Sequence, residues 1–184
     1  PENGTVTFNG SGTQTIGGSV PTTFYNLIIA GATGDTVRPA YNLTVLNDIT
    51  ISSGTYDASS SSYALTVGGN FTNDGVYTAR SGTVTMNGSG AQSIGGSTAT
   101  SFYNLTLGGA TVSLGNNESV SNTLLISSGT LDVSASNYGL TVGGAFTNNA
   151  AFNAESGTVT LNGSSTQSIG GTSSTGFYNL TLNG

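Results

Sequence analysis

The chain has 184 residues, a net charge of −6 from two arginines, no lysine and eight acids, and no cysteine, histidine or tryptophan. Disulfide frameworks, thiolate and imidazole chemistry, zinc fingers and a phosphate-neutralising nucleic-acid surface are thereby excluded. Gly, Thr, Ser and Asn make up more than half of the chain, yet 35% of it is apolar and it contains 8 Tyr and 7 Phe, so its polarity is that of hydroxyls and amides around a core.

From the N-terminal side, GTVTFNG at Gly4 opens a module that runs over 4–81. A second module, 82–156, begins with GTVTMNG at Gly82, and a partial third, 157–184, with GTVTLNG at Gly157, offsets of 78 and 75. Phe-Tyr-Asn recurs at Phe24, Phe102 and Phe177 with the same offsets. The three extra residues of the first module fall in 31–42, which reads as a lengthened loop containing Pro39. Within the modules the triplet apolar–Thr–apolar starts at Val6, Leu43, Leu65, Val84, Leu105, Leu140, Val159 and Leu180, with looser members at Leu27–Ile29 and Glu118–Val120. The intervals run 21, 16, 22, 19, 21, 13, 22, 19 and 21, an average of about 19.

Such a triplet is a strand with two side chains facing one way and one the other. Each is followed by Gly or Asn-Gly, and further short strands, such as Asn70–Thr72 and Val76–Thr78, fill the intervals. The spacing predicts an all-β fold, a single-stranded parallel β-helix or β-solenoid of about 19 residues per rung, continuous over 1–184, with about four rungs per module. The triplets are expected to form one inward ladder from Val6 onward. Right-handed coiling follows from the general crossover preference. An antiparallel sandwich also accommodates short strands between turns, but does not require a short self-similarity nested inside a longer module. Nine intervals at about 4.8 Å give a rod of roughly 43 Å. Neither end carries an atypical capping repeat, so the segment is expected to continue into further repeats or to stack end to end on copies of itself.

The runs GTVTFNGSGTQTIGG, FYNLIIAG, ISSGTYD and YALTVGGNFTNDGVYTARSGTVTMNG resemble the repeats of very large secreted bacterial surface proteins. That resemblance implies a β-helical, adhesin-like repeat at the cell surface, with other surface proteins or glycans as partners, and it carries over no active site.

Among candidate sites, the acids Glu2, Asp35, Asp48, Asp57, Asp74, Glu118, Asp132 and Glu155 come first, since β-helical lyases and hydrolases cluster carboxylates. Only Asp57 and Asp132 share a module position, about four rungs apart, and Arg80 corresponds to Glu155 with reversed sign. No local acid pair is visible, so no catalytic residue is assigned, the charges read as solvated loop groups, and no enzyme is expected. Asn73-Asp74-Gly75 and Asn116-Asn117-Glu118 could offer oxygens to calcium, but neither follows a calcium-loop pattern and the first is a turn sequence, so no metal or cofactor is assigned. The remaining candidate is an outward column of Thr7, Thr44, Thr66, Thr85, Thr106, Thr141, Thr160 and Thr181, with Ser119 as a further member and a break at Ile28. The repeated aromatics read as core filling, and Gln14, Gln92 and Gln167 as ladder or turn residues. Taken together, the expectation is a non-enzymatic structural element of an extracellular bacterial fibre, stalk or adhesin, without membrane insertion. The alternative is a binding module that uses the threonine column on ice or insoluble glycan.

Overall fold

The computed structural model describes residues 2–184, which form 25 strands and no helix. The chain is a parallel β-solenoid of about eight coils, about 21 residues apart. Its first face stacks β1 (Thr5–Phe8), β4 (Asn26–Ala30), β7 (Ile49–Ser53), β10 (Phe71–Asn73), β13 (Gln92–Gly95), β16 (Thr111–Leu114), β19 (Thr130–Asp132) and β22 (Ala151–Asn153). The third face stacks β3 (Thr22–Phe24), β6 (Leu43–Val45), β9 (Leu65–Val67), β12 (Thr83–Met86), β15 (Asn104–Leu107), β18 (Leu124–Ile126), β21 (Phe146–Asn148) and β24 (Ile169–Gly170). The second face is split into two sheets. One holds β2 (Thr13–Ile16), β5 (Thr36–Pro39), β8 (Thr55–Asp57) and β11 (Val76–Thr78). The other holds β14 (Ser101–Phe102), β17 (Glu118–Val120), β20 (Leu140–Val142), β23 (Thr158–Leu161) and β25 (Asn179–Leu182).

A coil takes three strands, whereas a module takes eleven. The GTVT strand is β1 in the first module, β12 in the second and β23 in the third, and it lies on the first, third and second face in turn. Each module therefore spans three and two-thirds coils, and every module position moves round by one face at the next repeat. This corrects the expected four shorter rungs per module. Most triplet intervals advance three strands. The two shortest, from Leu27 in β4 to Leu43 in β6 and from Leu105 in β15 to Glu118 in β17, advance only two and carry the series to the next face. The single inward ladder is in fact three. Val6 and Leu27 belong to the first face, Leu43, Leu65, Val84 and Leu105 to the third, and Val120, Leu140, Val159 and Leu180 to the second.

Strand alternation does what composition suggests. In β12, Val84 and Met86 are buried while Thr83 and Thr85 stay half-exposed. Each Val, Leu or Ile removed from water this way contributes about 1.5–3 kcal/mol before the entropy of ordering is set against it. Aromatic clusters fill the wider parts of the core: Phe71 meets Tyr77 and Phe102, and one module later Phe146 meets Phe152 and Phe177. The stretch read as a lengthened loop contains strand β5, in which Pro39 pairs with Ile16, and the extra residues lengthen the turn before it. Asp35 closes that turn, its carboxylate accepting the Gly12 and Ala32 N–H groups at 2.5 and 2.8 Å.

Corners are stitched by amides. Asn47 Nδ2 donates to Asn26 Oδ1 at 2.8 Å, and the module equivalents Asn122 and Asn104 repeat that bond at 2.8 Å. Gln14 and Gln92 close their turns by accepting the Gly10 and Gly88 N–H groups at 3.0 and 2.8 Å, and Gln167 donates to the Val142 carbonyl at 2.9 Å. The turn and ladder roles expected for these glutamines hold.

Candidate functional site

The eight threonines of the predicted column do not share a face. Thr7 lies on the first, Thr44, Thr66, Thr85 and Thr106 on the third, and Thr141, Thr160 and Thr181 on the second. The third-face run is in register and begins one coil earlier at Thr23, which the triplet pattern missed because Thr22-Thr23-Phe24 starts with a hydroxyl residue. The run ends at Leu125. The module's Thr-x-Thr pair falls once on each face, at Thr5–Thr7, Thr83–Thr85 and Thr158–Thr160, so precession keeps these pairs from aligning into a lattice.

Charged side chains gather elsewhere. The corner between the second and third faces is formed in successive coils by the turn after β5, the arch from β8 to β9 and the turn after β11. Here both arginines of the chain converge on one carboxylate. Arg38 Nε donates to Asp57 Oδ2 at 3.0 Å, while Arg80 Nε and Nη2 donate to Oδ1 and Oδ2, both at 2.8 Å. The Asp57 side chain is 4% exposed and the arginines 46% and 45%. Asp57 is therefore no solvated loop charge. The sequence separations, 19 from Arg38 to Asp57 and 23 from Asp57 to Arg80, are each about one coil, the only trace of the cluster in the sequence. Arg80's hydrogen bonds, helped by Arg38 and the Ser59 N–H, hold the carboxyl down at about 2 despite its burial.

The second module repeats the backbone and inverts the charge. Ser59, Ser62 and Arg80 have φ of 69°, 57° and 52°, and their equivalents Ser134, Asn137 and Glu155 have 63°, 59° and 42°. The arch is set by the same Asx turn in both: Ser59 N donates to Asp57 at 3.0 Å and Ser134 N to Asp132 at 2.7 Å. Glu155 and Asp132 are thus brought near one another, bridged by Asn153, whose amide donates to them at 2.8 and 3.4 Å. Asp57 and Asp132 themselves lie on different faces.

Glu118 is the other buried carboxyl, 3% exposed, at the start of β17, where the first module has Leu43. It sits one strand above the break between β11 and β14. Its Oε2 accepts the Thr100 N–H at 2.5 Å, Thr100 Oγ1 accepts from Asn73 Nδ2 at 3.2 Å, and Oε1 has no partner. Burial pushes this carboxyl up to about 7, against the hydrogen bonds from Thr100. A group raised on folding stabilises fully below its unfolded value, 4.5, and loses that contribution as pH rises through about 7. Asp57, lowered on folding, stabilises above 3.8 and loses its contribution as pH falls through about 2. Thermal stability should therefore be greatest near pH 4 and decline between about pH 4.5 and 7 by up to about 3 kcal/mol. Glu118→Leu, the residue of the first module, should flatten the alkaline side. An unchanged decline in that variant would place its cause elsewhere.

Among the described residues no group of three or more His, Cys, Asp or Glu side chains could hold a metal ion. The turn at Asn73-Asp74-Gly75 is closed by Asp74 accepting the Ser97 N–H and hydroxyl at 2.7 and 2.8 Å. The arrangement thus offers hydroxyl ladders, one guanidinium pair and amide-stitched corners. Comparison of the chain with protein-family models, curated proteins and solved structures found no match.

Proposed function

We propose that the chain is a non-enzymatic structural repeat of an extracellular bacterial fibre, stalk or surface adhesin, and that it acts as a stiff rod. The observation that supports this reading is the stacking itself: about eight coils follow one another, joined by parallel ladders along the faces. Because every coil repeats the same parallel pairing, one copy can add to another end to end. Stiffness follows from the stacking: each coil touches only its neighbours, through backbone ladders that run unbroken on the first and third faces and through three apolar columns. The exterior carries few charges, so salt has little to screen.

Electron microscopy of the isolated 184-residue chain at rising concentration tests the reading. The expected result is straight rods that lengthen by about 40 Å per copy, eight to nine coils at about 4.8 Å. Particles of one length at every concentration would remove self-stacking, and compact particles without an axis would remove the rod itself.

A further inference from the structure

We propose that the corner carrying Arg38, Arg80, Tyr41 and Tyr63 is a binding site for an acidic saccharide, a sugar ring bearing a carboxylate. It does not depend on whether the rod stacks on itself. The first part of the case is the guanidinium pair. Arg38 gives only Nε to Asp57, and Arg80 gives Nε and Nη2, so the Nη groups of Arg38 and Nη1 of Arg80 remain for a ligand. Both side chains are nearly half exposed, whereas the carboxylate that orients them is buried. Their rotamers are thus ordered before a ligand arrives, which lowers the entropic cost of a forked contact to a carboxylate. Two guanidinium groups and one carboxylate leave the cluster at +1, and it holds every cationic side chain of a chain whose net charge is −6. At physiological salt that local charge acts over about 8 Å, beyond which other charges are largely screened.

The second part is aromatic. The rings of Tyr41 and Tyr63 lie 6.2 Å apart and tilted by 34°, and Tyr41 is 39% exposed. Two bonds between coils place them in the same corner as the arginines: Ala64 N to Asn42 Oδ1 at 3.0 Å, and Ser81 N to Ser62 Oγ at 3.1 Å. Aromatic rings in the same corner as carboxylate-binding donors suit a sugar acid, whose C–H face stacks while its carboxylate pairs. A single net positive charge does not suit a nucleic-acid strand, which needs many phosphate contacts. The second module supplies a comparison within the chain. There Arg38, Tyr41 and Arg80 are replaced by Ser113, Asn116 and Glu155 on an equivalent backbone, and the corner carries no cation.

With only two arginines and no lysine, the arginine Nε–H region of a ¹⁵N-correlated NMR spectrum contains two signals to follow. Titration with hexameric oligogalacturonate at pH 6 and low salt should shift both, saturably in the millimolar range, and about tenfold more weakly in about 0.5 M salt. Arg38→Gln should weaken binding about tenfold through loss of one charge-assisted contact, and Tyr41→Ala by a similar factor, each with an unchanged far-UV spectrum. Maltohexaose and hexaglutamate should give no saturable shift. Absent shifts with oligogalacturonate, or undiminished binding by Arg38→Gln, would overturn the site. Equal binding of maltohexaose would overturn the role of the charge, and equal binding of hexaglutamate the saccharide assignment. Arg80→Gln serves as a second variant should Arg38→Gln fail to fold.

Discussion

Replacing Phe71 with alanine should destabilise the solenoid by about 3–5 kcal/mol, the usual cost of emptying a buried aromatic position. Phe71 is fully buried on the first face and lies edge-on to two rings, Tyr77 at 5.4 Å and Phe102 at 5.4 Å. Those rings come from the second face on either side of the split between its two sheets, where β11 and β14 form no ladder. Side-chain packing there substitutes for backbone pairing. The hole left by alanine is flanked by parallel ladders with little freedom to close in, so relaxation should recover little of the loss. Urea unfolding at pH 5.5 measures the cost, and hydrogen exchange should show the earliest loss of protection in β11 and β14. Phe146 has the same environment in the second module, against Phe152 at 5.2 Å and Phe177 at 5.5 Å, and Phe146→Ala provides the comparison. A cost below about 1 kcal/mol at both positions would mean that the rings merely fill space that other side chains can take up.

Much of this architecture could be read from residue spacing, and the part that could not has a definite cause. Alternation within Thr83–Met86 identifies a strand and its inward side chains without knowledge of what lies above or below. Stacking is another matter, because it depends on how many strands separate two similar segments. The interval from Val6 to Leu27 spans three strands, and the shorter one from Leu27 to Leu43 spans two. Averaging the intervals merges the two kinds of step and lines up threonines that lie on three different faces. The short intervals were the available signal. The glutamate at 118 was another, since it breaks the apolar pattern at an inward position that is Leu43 one module earlier. The convergence of Arg38 and Arg80 on Asp57 could not be recognised until the strand count was known, because residues so far apart in sequence become neighbours only when each separation equals one coil.

Three glycines at one module position allow the contribution of coil stacking to be separated from that of local backbone strain. Gly18, Gly96 and Gly171 follow the Ile-Gly of each module with φ of +145°, +122° and +122°, so alanine is strained at each by roughly 1–2 kcal/mol. What differs is the coil beneath. A Cβ on Gly96 would overlap the carbonyl of Asn73, and one on Gly171 the carbonyl of Asn148. Those carbonyls accept the Thr98 and Ser173 N–H groups, each at 3.0 Å, so moving aside breaks a bond between coils. At Gly18, in the first coil, the nearest atom to such a Cβ is the Val20 carbonyl oxygen at 3.9 Å, an ordinary contact. In the isolated 184-residue chain, Gly96→Ala and Gly171→Ala should therefore cost about 3–4 kcal/mol, and Gly18→Ala only the roughly 1–2 kcal/mol of strain. Because solenoids can unfold in segments, the loss should also be local, with exchange protection lowered around Asn73 and Thr98 in the first variant and around Asn148 and Ser173 in the second. If all three substitutions cost the same, the close approach of successive coils contributes nothing beyond local strain. If Gly18→Ala alone is tolerated, the corner glycines are there because the coil below leaves no room for a side chain.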